Sequence, residues 1–599
     1  MQPSHDLLER FRNIVIQKPG DVCLTGPAGE QCSWEQLVKN ILAWRRWFNR
    51  KQSEGVTFAA RLDLSAKSVA LIIAAVTLPV KIAWIPLNIP ASRERDMIIN
   101  LGPKTVLIDD STAEEAIFAG NWISDVRSLT WSGKSKFLYF TSGSEGVPKA
   151  VQVGMDAVRN RITWMWNAYP YESSDLVVVQ KPLSFVASFW EVLGTLLAGV
   201  TGVLITNIER SRPDVMFDRL ASSGATHLFT TPPALASLCD IATEQGSTLP
   251  QLRLVCSSAD QLMASVVRQF FEIAPRARVV NLYGATETSA NTTSFEVSRS
   301  GSIPDPIPLG EPICATKIVI RDMKGNEKLS GEEGQICVQG APVADGYIVN
   351  GQLSLGDDAF FTLGSGQREI RTGDLGIIKD GVLSLVGRLD NAVNIAGYKI
   401  HLEEVERAAA RVANSTKQCG AVYHQGSGGV LALVIPREWE SQVTTSRLAE
   451  FLPSYMIPLK IVTTQNVPRS RTGKIDRCEC LKLVAQSELY DHDRISQGQM
   501  QRNSVHDQVQ NIWDMVLGKK SHGEDRDFFS AGGNSLRAVQ LLTAIGKQFG
   551  VRVPLRNFYS NPTISCLVSL LMPVEEREQL IRKFGSVLVQ QLPLVAPQS

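Results

Sequence analysis

The segment from Phe140 to Lys149 has the composition of a loop that can hold phosphate. It reads Phe-Thr-Ser-Gly-Ser-Glu-Gly-Val-Pro-Lys and follows an apolar run, Phe137–Phe140, that is predicted to be a strand. Hydroxyl groups, the backbone N–H groups of a glycine-rich turn and a lysine can together surround phosphate oxygens. The spacing differs from the GxxxxGK[ST] pattern of the P-loop. Taken alone, such a segment is more often an ordinary turn.

Four more segments, far apart in the chain, combine glycine with charged or hydroxyl side chains. They are Asn281-Leu282-Tyr283-Gly284-Ala285-Thr286-Glu287-Thr288, Arg371-Thr372-Gly373-Asp374-Leu375, Gly387-Arg388-Leu389-Asp390 and Pro468-Arg469-Ser470-Arg471-Thr472-Gly473-Lys474. A lone Glu287, Asp374 or Lys474 would usually be a solvated surface charge. Several such segments in one chain make the phosphate-binding interpretation of the loop stronger.

A further segment near the C-terminus ends in a serine at the start of a predicted helix. It reads Asp527-Phe528-Phe529-Ser530-Ala531-Gly532-Gly533-Asn534-Ser535-Leu536. Apolar residues then recur at helical spacing, at Leu536, Val539, Leu542, Ile545 and Phe549. A serine in this position most commonly caps the helix. The free N–H groups and the dipole at the start of a helix also favour negative charge there.

Residues 1–386, which contain the first three of these segments, are predicted to form an α/β region. Its apolar runs are predicted strands, and amphipathic stretches between them are predicted helices; examples are the runs Leu176–Gln180, Gly202–Thr206, Thr226–Thr230 and Leu252–Cys256 and the stretches Met216–Ser222 and Ser265–Ile273. This alternation favours a largely parallel sheet. Residues 387–484 read as short strands with one clear helix, Leu402–Val412. A polar linker is predicted at 485–504, a helical unit at 505–575 and a tail at 576–599.

Composition excludes several classes of protein. The chain has 599 residues, 44% of them hydrophobic and 20% charged, and a formal net charge of +1, so no overall charge imbalance points to nucleic acid or a membrane surface. The ten cysteines lack the paired spacing of a zinc site, and the N-terminus lacks the pattern of a signal peptide. We therefore expect a soluble, cytoplasmic protein with reduced thiols.

The loop and the four segments that follow it resemble, in order, the motifs of the adenylate-forming superfamily, which includes acyl-CoA synthetases, luciferases and the adenylation domains of nonribosomal peptide synthetases. Weaker matches are Ser33–Leu37 and Val343–Tyr347, and the resemblance covers about residues 20–480. It implies a large N-terminal adenylation domain with parallel-sheet subdomains and a small α+β C-terminal subdomain. The segment around Ser535 resembles the carrier-protein motif, which implies an all-α four-helix carrier bundle at the end of the chain.

The resemblance also implies a reaction and the residues that serve it. A carboxylate would attack the α-phosphorus of ATP, and because two anions meet there, cations and oriented donors must neutralise the site. Tyr283 would stack on adenine, Asp374 would bind the ribose hydroxyls with Arg388, and Lys474 would bridge the carboxylate and the α-phosphate. Thr286 would hold the α-phosphate and Glu287 would ligate Mg²⁺. The remaining residues implied to bind ATP are Thr141, Ser142, Gly143, Ser144, Gly146, Lys149, Asn281 and Gly284.

Three further positions carry roles by the same resemblance. Asp390 matches the hinge about which the small subdomain swings between two half-reactions. Gly397 matches the glycine where the arm of the carrier enters, because only a residue without a side chain leaves room there. Ser535 would bear a covalent 4′-phosphopantetheine arm, which makes thioester formation intramolecular.

The substrate pocket departs from the family's usual pattern. In the segment Lys181–Glu191, amino-acid-activating relatives usually have an aspartate where this chain has Val186, and that aspartate pairs with the substrate's α-ammonium. An ammonium buried beside valine would lack its partner. We therefore expect a 2-oxo, 2-hydroxy or other carboxylic acid, with an unusual or ordinary amino acid as the alternative. The other matched pocket positions are Ala187, Trp190, Thr230, Val255, Ser257, Leu282, Ala290 and Asn291, which suggest a mid-sized, mainly apolar substrate side chain.

The expected protein is thus an acid–thiol ligase that loads its own carrier domain for nonribosomal peptide-type biosynthesis. A phosphopantetheinyl transferase would modify Ser535, and a downstream enzyme would use the acyl group in trans. Two rival hypotheses remain. One is an acyl-CoA ligase with an accessory helical domain, and the other is a catalytically silent scaffold whose adenylation domain has decayed.

Overall fold

Apolar strands that alternate with amphipathic helices build the first part of the chain. The computed structural model describes residues 7–116, 118, 120–141, 148–356, 359–364, 366–389, 391–395, 398–415, 417–424, 430–469, 475–496, 505–517, 527–528, 531, 533, 535–551, 553, 558 and 561–571. For 488–496 and several carrier positions, including Ser535, Leu536 and Val539, it describes the backbone alone.

The strands up to residue 388 are β1 Val22–Thr25, β2 Gln31–Ser33, β3 Thr57–Ala60, β4 Lys81–Trp84, β5 Thr105–Ile108, β6 Lys136–Thr141, β7 Lys149–Gly154, β8 Leu176–Val179, β9 Thr201–Leu204, β10 His227–Thr230, β11 Leu254–Ser258, β12 Arg278–Tyr283, β13 Thr293–Val297, β14 Glu311–Pro312, β15 Thr316–Arg321, β16 Glu333–Gly340, β17 Gly346–Val349, β18 Gln352–Ser354, β19 Phe360–Thr362, β20 Arg368–Lys379 and β21 Val382–Arg388. The helices are α1 Leu8–Gln17, α2 Trp34–Lys51, α3 Ala66–Val76, α4 Ala91–Leu101, α5 Asp110–Glu115, α6 Trp122–Arg127, α7 Met155–Ala168, α8 Ser188–Leu196, α9 Asn207–Ser211, α10 Pro213–Ser223, α11 Pro232–Gln245 and α12 Ala264–Ile273.

These strands form three sheets, in the orders β14-β13-β12-β11-β10-β8-β9-β1-β2, β18-β17-β7-β6-β4-β3-β5, and β15-β16-β20-β19 with β21 on β20. The first two have parallel centres, at β12-β11-β10-β8-β9-β1 and β6-β4-β3-β5, as predicted from the alternation of strands and helices. Parallel strands buried on both faces need apolar residues throughout. Helix α3 is likewise mainly apolar, and all its residues from Ser68 onward are buried.

The two faces of the nine-stranded sheet lie in different cores. The larger core, which we call the central core, includes Trp190, Phe229, Cys256 and Leu282. The smaller one, the outer core, lies under α10, α11 and α12 and includes Leu228 and Val255. Because successive side chains of a strand point to opposite faces, neighbours such as Leu228 and Phe229 enter different cores.

The next part of the chain is a small α+β unit. Its strands are β22 Ala392–Ile395, β23 Tyr398–His401, β24 Gly420–His424, β25 Val430–Pro436 and β26 Lys460–Thr464, and its helices are α13 Leu402–Val412, α14 Thr445–Leu448 and α15 Arg477–Ser496. The helix predicted at Leu402–Val412 is therefore confirmed. Helix α15 continues to Ser496, so the interval predicted as a linker is helical over 485–496.

The C-terminal described residues form the helices α16 Val505–Leu517, α17 Ser535–Phe549 and α18 Ile564–Leu571. Their core contains Trp513, Phe528 and Phe558, and the ring centroids of Trp513 and Phe528 lie 4.9 Å apart. Two residues of the predicted apolar stripe, Leu542 and Ile545, are buried in it. Within the part of the chain that the structure describes, no helix has both the length and the apolarity of a membrane span.

Candidate active site

Asp374, on β20, lies at the centre of a polar cluster with Tyr283 and Arg388. Its Oδ2 accepts a hydrogen bond of 2.7 Å from the Tyr283 hydroxyl at the end of β12, and its Oδ1 pairs with Arg388 on β21. The pairing of β20 with β21 places Asp374 directly opposite Arg388. Burial, and then the Asp374 carboxylate, raise the pKa of Tyr283 well above its ordinary value, so the phenol stays protonated and donates. A carboxylate has about four acceptor positions, so Asp374 keeps capacity for a diol.

The turn after Tyr283 requires a glycine. A Cβ on Gly284 would lie 2.2 Å from the Ala290 carbonyl oxygen and 2.7 Å from the Asn291 Cα, closer than atoms can pack. Ser289 and Ala290 close this turn with φ values of 55° and 86°, a backbone conformation that side chains rarely adopt. The short helical turn Thr286–Thr288 is thereby held at the end of the sheet. Such strained turns are common where backbone approaches a ligand.

Glu287 and Lys149 meet around the ring of Tyr347. The Tyr347 hydroxyl donates to Glu287 Oε1 at 3.2 Å, and Lys149 Nζ lies 5.3 Å from the centroid of the same ring. Lys149 opens β7 and pairs with Thr141, the last residue of β6. The structure therefore brings the buried Glu287 carboxylate, the Lys149 ammonium group and the Tyr347 hydroxyl to one place. This donor set fits a nucleotide phosphate with a hard divalent cation such as Mg²⁺.

Five of the predicted pocket residues belong to the central core. Trp190, Leu282 and Ala290 are buried members of it, and Val186 and Ala187 pack against it while partly buried. The ring of Trp190 meets that of Phe229 edge to face, with centroids 3.9 Å apart. The side chains at these predicted pocket positions are therefore aromatic or aliphatic and pack in or against one core.

Three other predicted pocket residues lie on the opposite face of the same sheet. Val255 belongs to the outer core, and strand alternation directs Ser257 to the side of Val255 and Thr230 to the side of Leu228. The structure thus does not bring these three to Trp190. The residues that share the face of Trp190 are instead their strand neighbours, which are Phe229, Cys256 and Ser258. The signal available in the sequence was the strict alternation of side chains along each strand.

Asn281, on β12, is predicted to bind ATP and is buried in the structure. Its side-chain amide donates to the Pro308 carbonyl at 2.8 Å, and the residue is only 2% exposed. This hydrogen bond ties β12 to the segment before β14, and the ATP-binding role of Asn281 stays a prediction.

A buried arginine behind the pocket was missed by the sequence reasoning. The Arg161 guanidinium lies between two indole rings, 4.4 Å from the Trp190 centroid and 4.7 Å from that of Trp164, and its Nε donates to Asn291 Oδ1 at 3.2 Å. Burial lowers its pKa to about 10, so it stays charged at neutral pH. Its stack on Trp190 and its bond to Asn291 orient two pocket side chains at once. The signal in the sequence was a basic residue on the buried stripe of α7, three positions after Val158.

Glu191 fixes the backbone of the segment Lys181–Glu191, which carries Val186, through hydrogen bonds. Its Oε2 accepts the backbone N–H groups of Gln180 at 2.9 Å and Lys181 at 2.8 Å, and the Gln180 amide in turn donates to the Phe229 carbonyl. Glu191 has no exposed surface, and burial, partly offset by Lys181, raises its pKa to about 7. The segment that carries Val186 is therefore fixed at both of its ends.

This raised pKa predicts a pH-dependent stability. Between the ordinary pKa of 4.5 and about 7, the unfolded chain releases the Glu191 proton while the folded chain keeps it. The free energy of unfolding therefore falls as pH rises through this window, by about 1.4 kcal/mol for each pKa unit. We expect Glu191→Gln, which cannot ionise, to remove this decline. Urea unfolding of both proteins at pH 5, 6 and 7 measures this change. If the unfolding free energy depended on pH in the same way in both proteins, the raised pKa would not belong to Glu191.

The small unit contacts the pocket segment through aromatic rings. Phe185 meets Tyr398 edge to face at 4.8 Å, and Tyr398 stacks on Tyr455 at 3.8 Å. Arg93 on α4 forms a buried ion pair with Glu404 on α13. The hairpin β22–β23 therefore lies beside the pocket. The remaining site predictions, at Ser142, Gly143, Ser144, Gly146, Asp390, Gly397 and Lys474, fall outside the described residues, as does the side chain of Ser535.

Comparison with known families accounts for most of the chain. A family model described as AMP-binding enzyme matches residues 11–348, and one described as phosphopantetheine attachment site matches residues 507–571. The fold is similar to that of holo-PA1221, an NRPS protein containing adenylation and PCP domains, with a TM-score of 0.71 and 22% identity, covering 96% of this chain and 98% of that one.

Two curated relatives show how the match is distributed. A D-alanine–D-alanyl carrier protein ligase of Bacillus licheniformis is 32% identical over 407 residues, which are 65% of this chain and 80% of the ligase. Bacitracin synthase 3 of the same species is 30% identical over 455 residues, which are 74% of this chain. The chain spans only 7% of that synthase.

Proposed function

Because this chain belongs to the family of AMP-binding enzymes and carries a phosphopantetheine attachment domain, we propose that it loads a carboxylic acid onto its own carrier domain. Members of this family are ATP-using ligases that form acyl-adenylates and thioesters, and this chain is one of them. The observation that carries the proposal is the Asp374 cluster with Tyr283 and Arg388, because Tyr283 ends β12, the strand that leads into the turn that holds Glu287. A carrier domain also implies a phosphopantetheinyl transferase as a partner.

In the proposed first half-reaction, the substrate carboxylate attacks the α-phosphorus of ATP and pyrophosphate leaves. Asp374 binds the ribose hydroxyls, and Tyr283, held by Asp374, offers its ring to adenine. Glu287 and Lys149 lie where phosphate charge accumulates, and Mg²⁺ bound there would neutralise part of it. Lys474 bridges the two reacting anions, a role that rests on its motif alone. In the second half-reaction, a pantetheine arm on Ser535 would supply the accepting thiol, and AMP would be the leaving group.

The proposed substrate lacks an α-ammonium group. Val186 packs, partly buried, against the central core that contains Trp190 and Phe229, and it offers no carboxylate to an ammonium ion. An unpaired buried charge costs several kcal/mol, on the order of its desolvation. A 2-oxo, 2-hydroxy or other simple acid avoids that cost. Downstream, we propose that a separate enzyme takes the acyl group from the carrier.

An amino acid substrate is the second candidate, because the similar ligase from Bacillus licheniformis is named for D-alanine. ATP–pyrophosphate exchange with a panel of 2-oxo, 2-hydroxy, aryl, D-amino and L-amino acids separates the candidates. Strong exchange with amino acids alone refutes the proposed substrate class and leaves the ligase function intact. A CoA thioester released in place of a loaded carrier would favour the acyl-CoA ligase hypothesis.

Replacing Val186 with aspartate should move the preference toward amino acids. A carboxylate at this position gives the ammonium a charged partner, and such hydrogen bonds contribute about 1.5–3 kcal/mol, or roughly tenfold to a hundredfold in exchange efficiency. The matched control is Val186→Asn, because asparagine has nearly the shape of aspartate but carries no charge. Equal responses of the two variants would show that Val186 does not face the α-substituent.

A further inference from the structure

Arg537 joins the carrier unit to the small α+β unit. It lies on α17, two residues after Ser535, and is only 4% exposed. Its Nη1 donates to the Leu517 carbonyl at 2.8 Å, inside the carrier unit, and its Nη2 donates to the Ser454 carbonyl at 2.6 Å, across the boundary. One rigid, planar guanidinium thus bonds to both units.

The turn that receives Arg537 also contacts the substrate side of the molecule. Ser454 begins the short helical turn Ser454–Met456, and the next residue, Tyr455, stacks on Tyr398 with an interplanar angle of 14°. Tyr398 opens β23 and meets Phe185 of the pocket segment. A continuous line of contacts therefore runs from the residue beside the carrier's attachment serine to the pocket.

The chemistry of the contact suits a reversible docking event. The bond to Ser454 ends on a backbone carbonyl, which carries no counter-charge, so breaking it leaves a neutral acceptor that water can solvate. Burial lowers the pKa of Arg537 to about 10, so it donates in its charged form at neutral pH. A hydrogen bond to a main-chain carbonyl also depends on the position of the turn, so the bond forms only in one register of the two units.

We propose that Arg537 is the docking residue that seats the carrier domain on the turn Ser454–Met456 for acyl transfer. This inference rests on the proposed loading function and names the surface on which it depends. Arg537 is a positioning residue, because it contacts neither the substrate nor the reacting atoms. Its loss slows the delivery of the arm and leaves adenylate formation unchanged.

The test uses the full-length, pantetheinylated protein with Arg537→Ala, Arg537→Lys and the control Lys547→Ala, which lies on the same helix. In wild type, ATP–pyrophosphate exchange and single-turnover loading must both be seen first, since their absence would refute the proposed function rather than this inference. We expect Arg537→Ala to lower the loading rate at least about tenfold, with unchanged exchange. Transfer of the acyl group to free pantetheine, which needs no docking, stays at the wild-type rate.

Arg537→Lys guards against a folding defect. Lysine can reach one of the two carbonyls but not both in the fork geometry of arginine, so we expect loading between that of wild type and alanine. Loading at the wild-type rate by either variant overturns the proposal. It is equally overturned if modification of Ser535 by the transferase, or the melting temperature, falls in proportion to loading, because Arg537 would then only hold the carrier together.

Discussion

Replacing Ser535 with alanine is expected to abolish covalent loading and to leave ATP–pyrophosphate exchange at the wild-type rate. The serine hydroxyl is the only atom of this side chain that can carry a phosphodiester, so alanine removes the arm and with it the accepting thiol. The adenylation residues lie on other elements, around Asp374 and Glu287, and do not depend on the arm. Intact-protein mass spectrometry after treatment with CoA and a transferase measures the loss.

The matched control is Ser569→Ala on α18 of the same unit. The Ser569 hydroxyl donates to the Cys566 carbonyl within that helix, so its loss should leave modification and loading unchanged. Retention of an acyl group by Ser535→Ala under these conditions would mean that the acceptor is another nucleophile. A loss of exchange in Ser535→Ala would mean that the two half-reactions are not separable.

Replacing Lys474 with alanine is the second large effect. This lysine is proposed to stand between the carboxylate and the α-phosphate, where the negative charge of the transition state is greatest. Removing one such charged donor from a desolvated site typically lowers a rate about a hundredfold to a thousandfold. We therefore expect pyrophosphate exchange to fall by that factor, with little change in melting temperature.

A second measurement separates catalysis from folding. When the acyl-adenylate is supplied ready-made, the Lys474→Ala protein should load its carrier at nearly the wild-type rate, because the lysine serves only the first half-reaction. Lys482→Ala is the control, since this lysine is exposed and pairs with Glu479 on α15. Exchange by Lys474→Ala at the rate of the control would remove the electrostatic basis of the mechanism.

Local patterns predicted the elements well where one face or both faces are buried. The helix Leu402–Val412 follows from its apolar spacing and its acidic first turn, which suits the helix dipole. The strands β8, β10 and β11 follow from short apolar runs, and their ends shift by no more than two residues. Charge placement and periodicity are properties of the local sequence, so they can be used to predict a helix or strand before its packing partners are known.

The pocket could not be predicted to the same degree. Choosing Val255 in place of Cys256 is a shift of one residue, but in a strand it exchanges one face of the sheet for the other. Arg161 was missed because its importance depends on Trp190 and Asn291, which come from distant elements. The same holds for Arg537, whose acceptor Ser454 lies 83 positions earlier in the chain. Local patterns show which face of an element is buried, but long-range packing decides which side chains meet there.

The central claim is that one chain makes an adenylate and transfers its acyl group to a thiol on its own carrier unit. Intact-protein mass spectrometry tests it most directly, on protein treated with CoA and a phosphopantetheinyl transferase and then incubated with ATP, Mg²⁺ and the acid panel. We predict a first mass gain equal to the pantetheine arm and a second equal to one acid minus one water. The second gain, but not the first, should disappear when ATP is omitted. Protein that gains the arm but takes up no acid from any panel member, while releasing pyrophosphate with one of them, would contradict the claim.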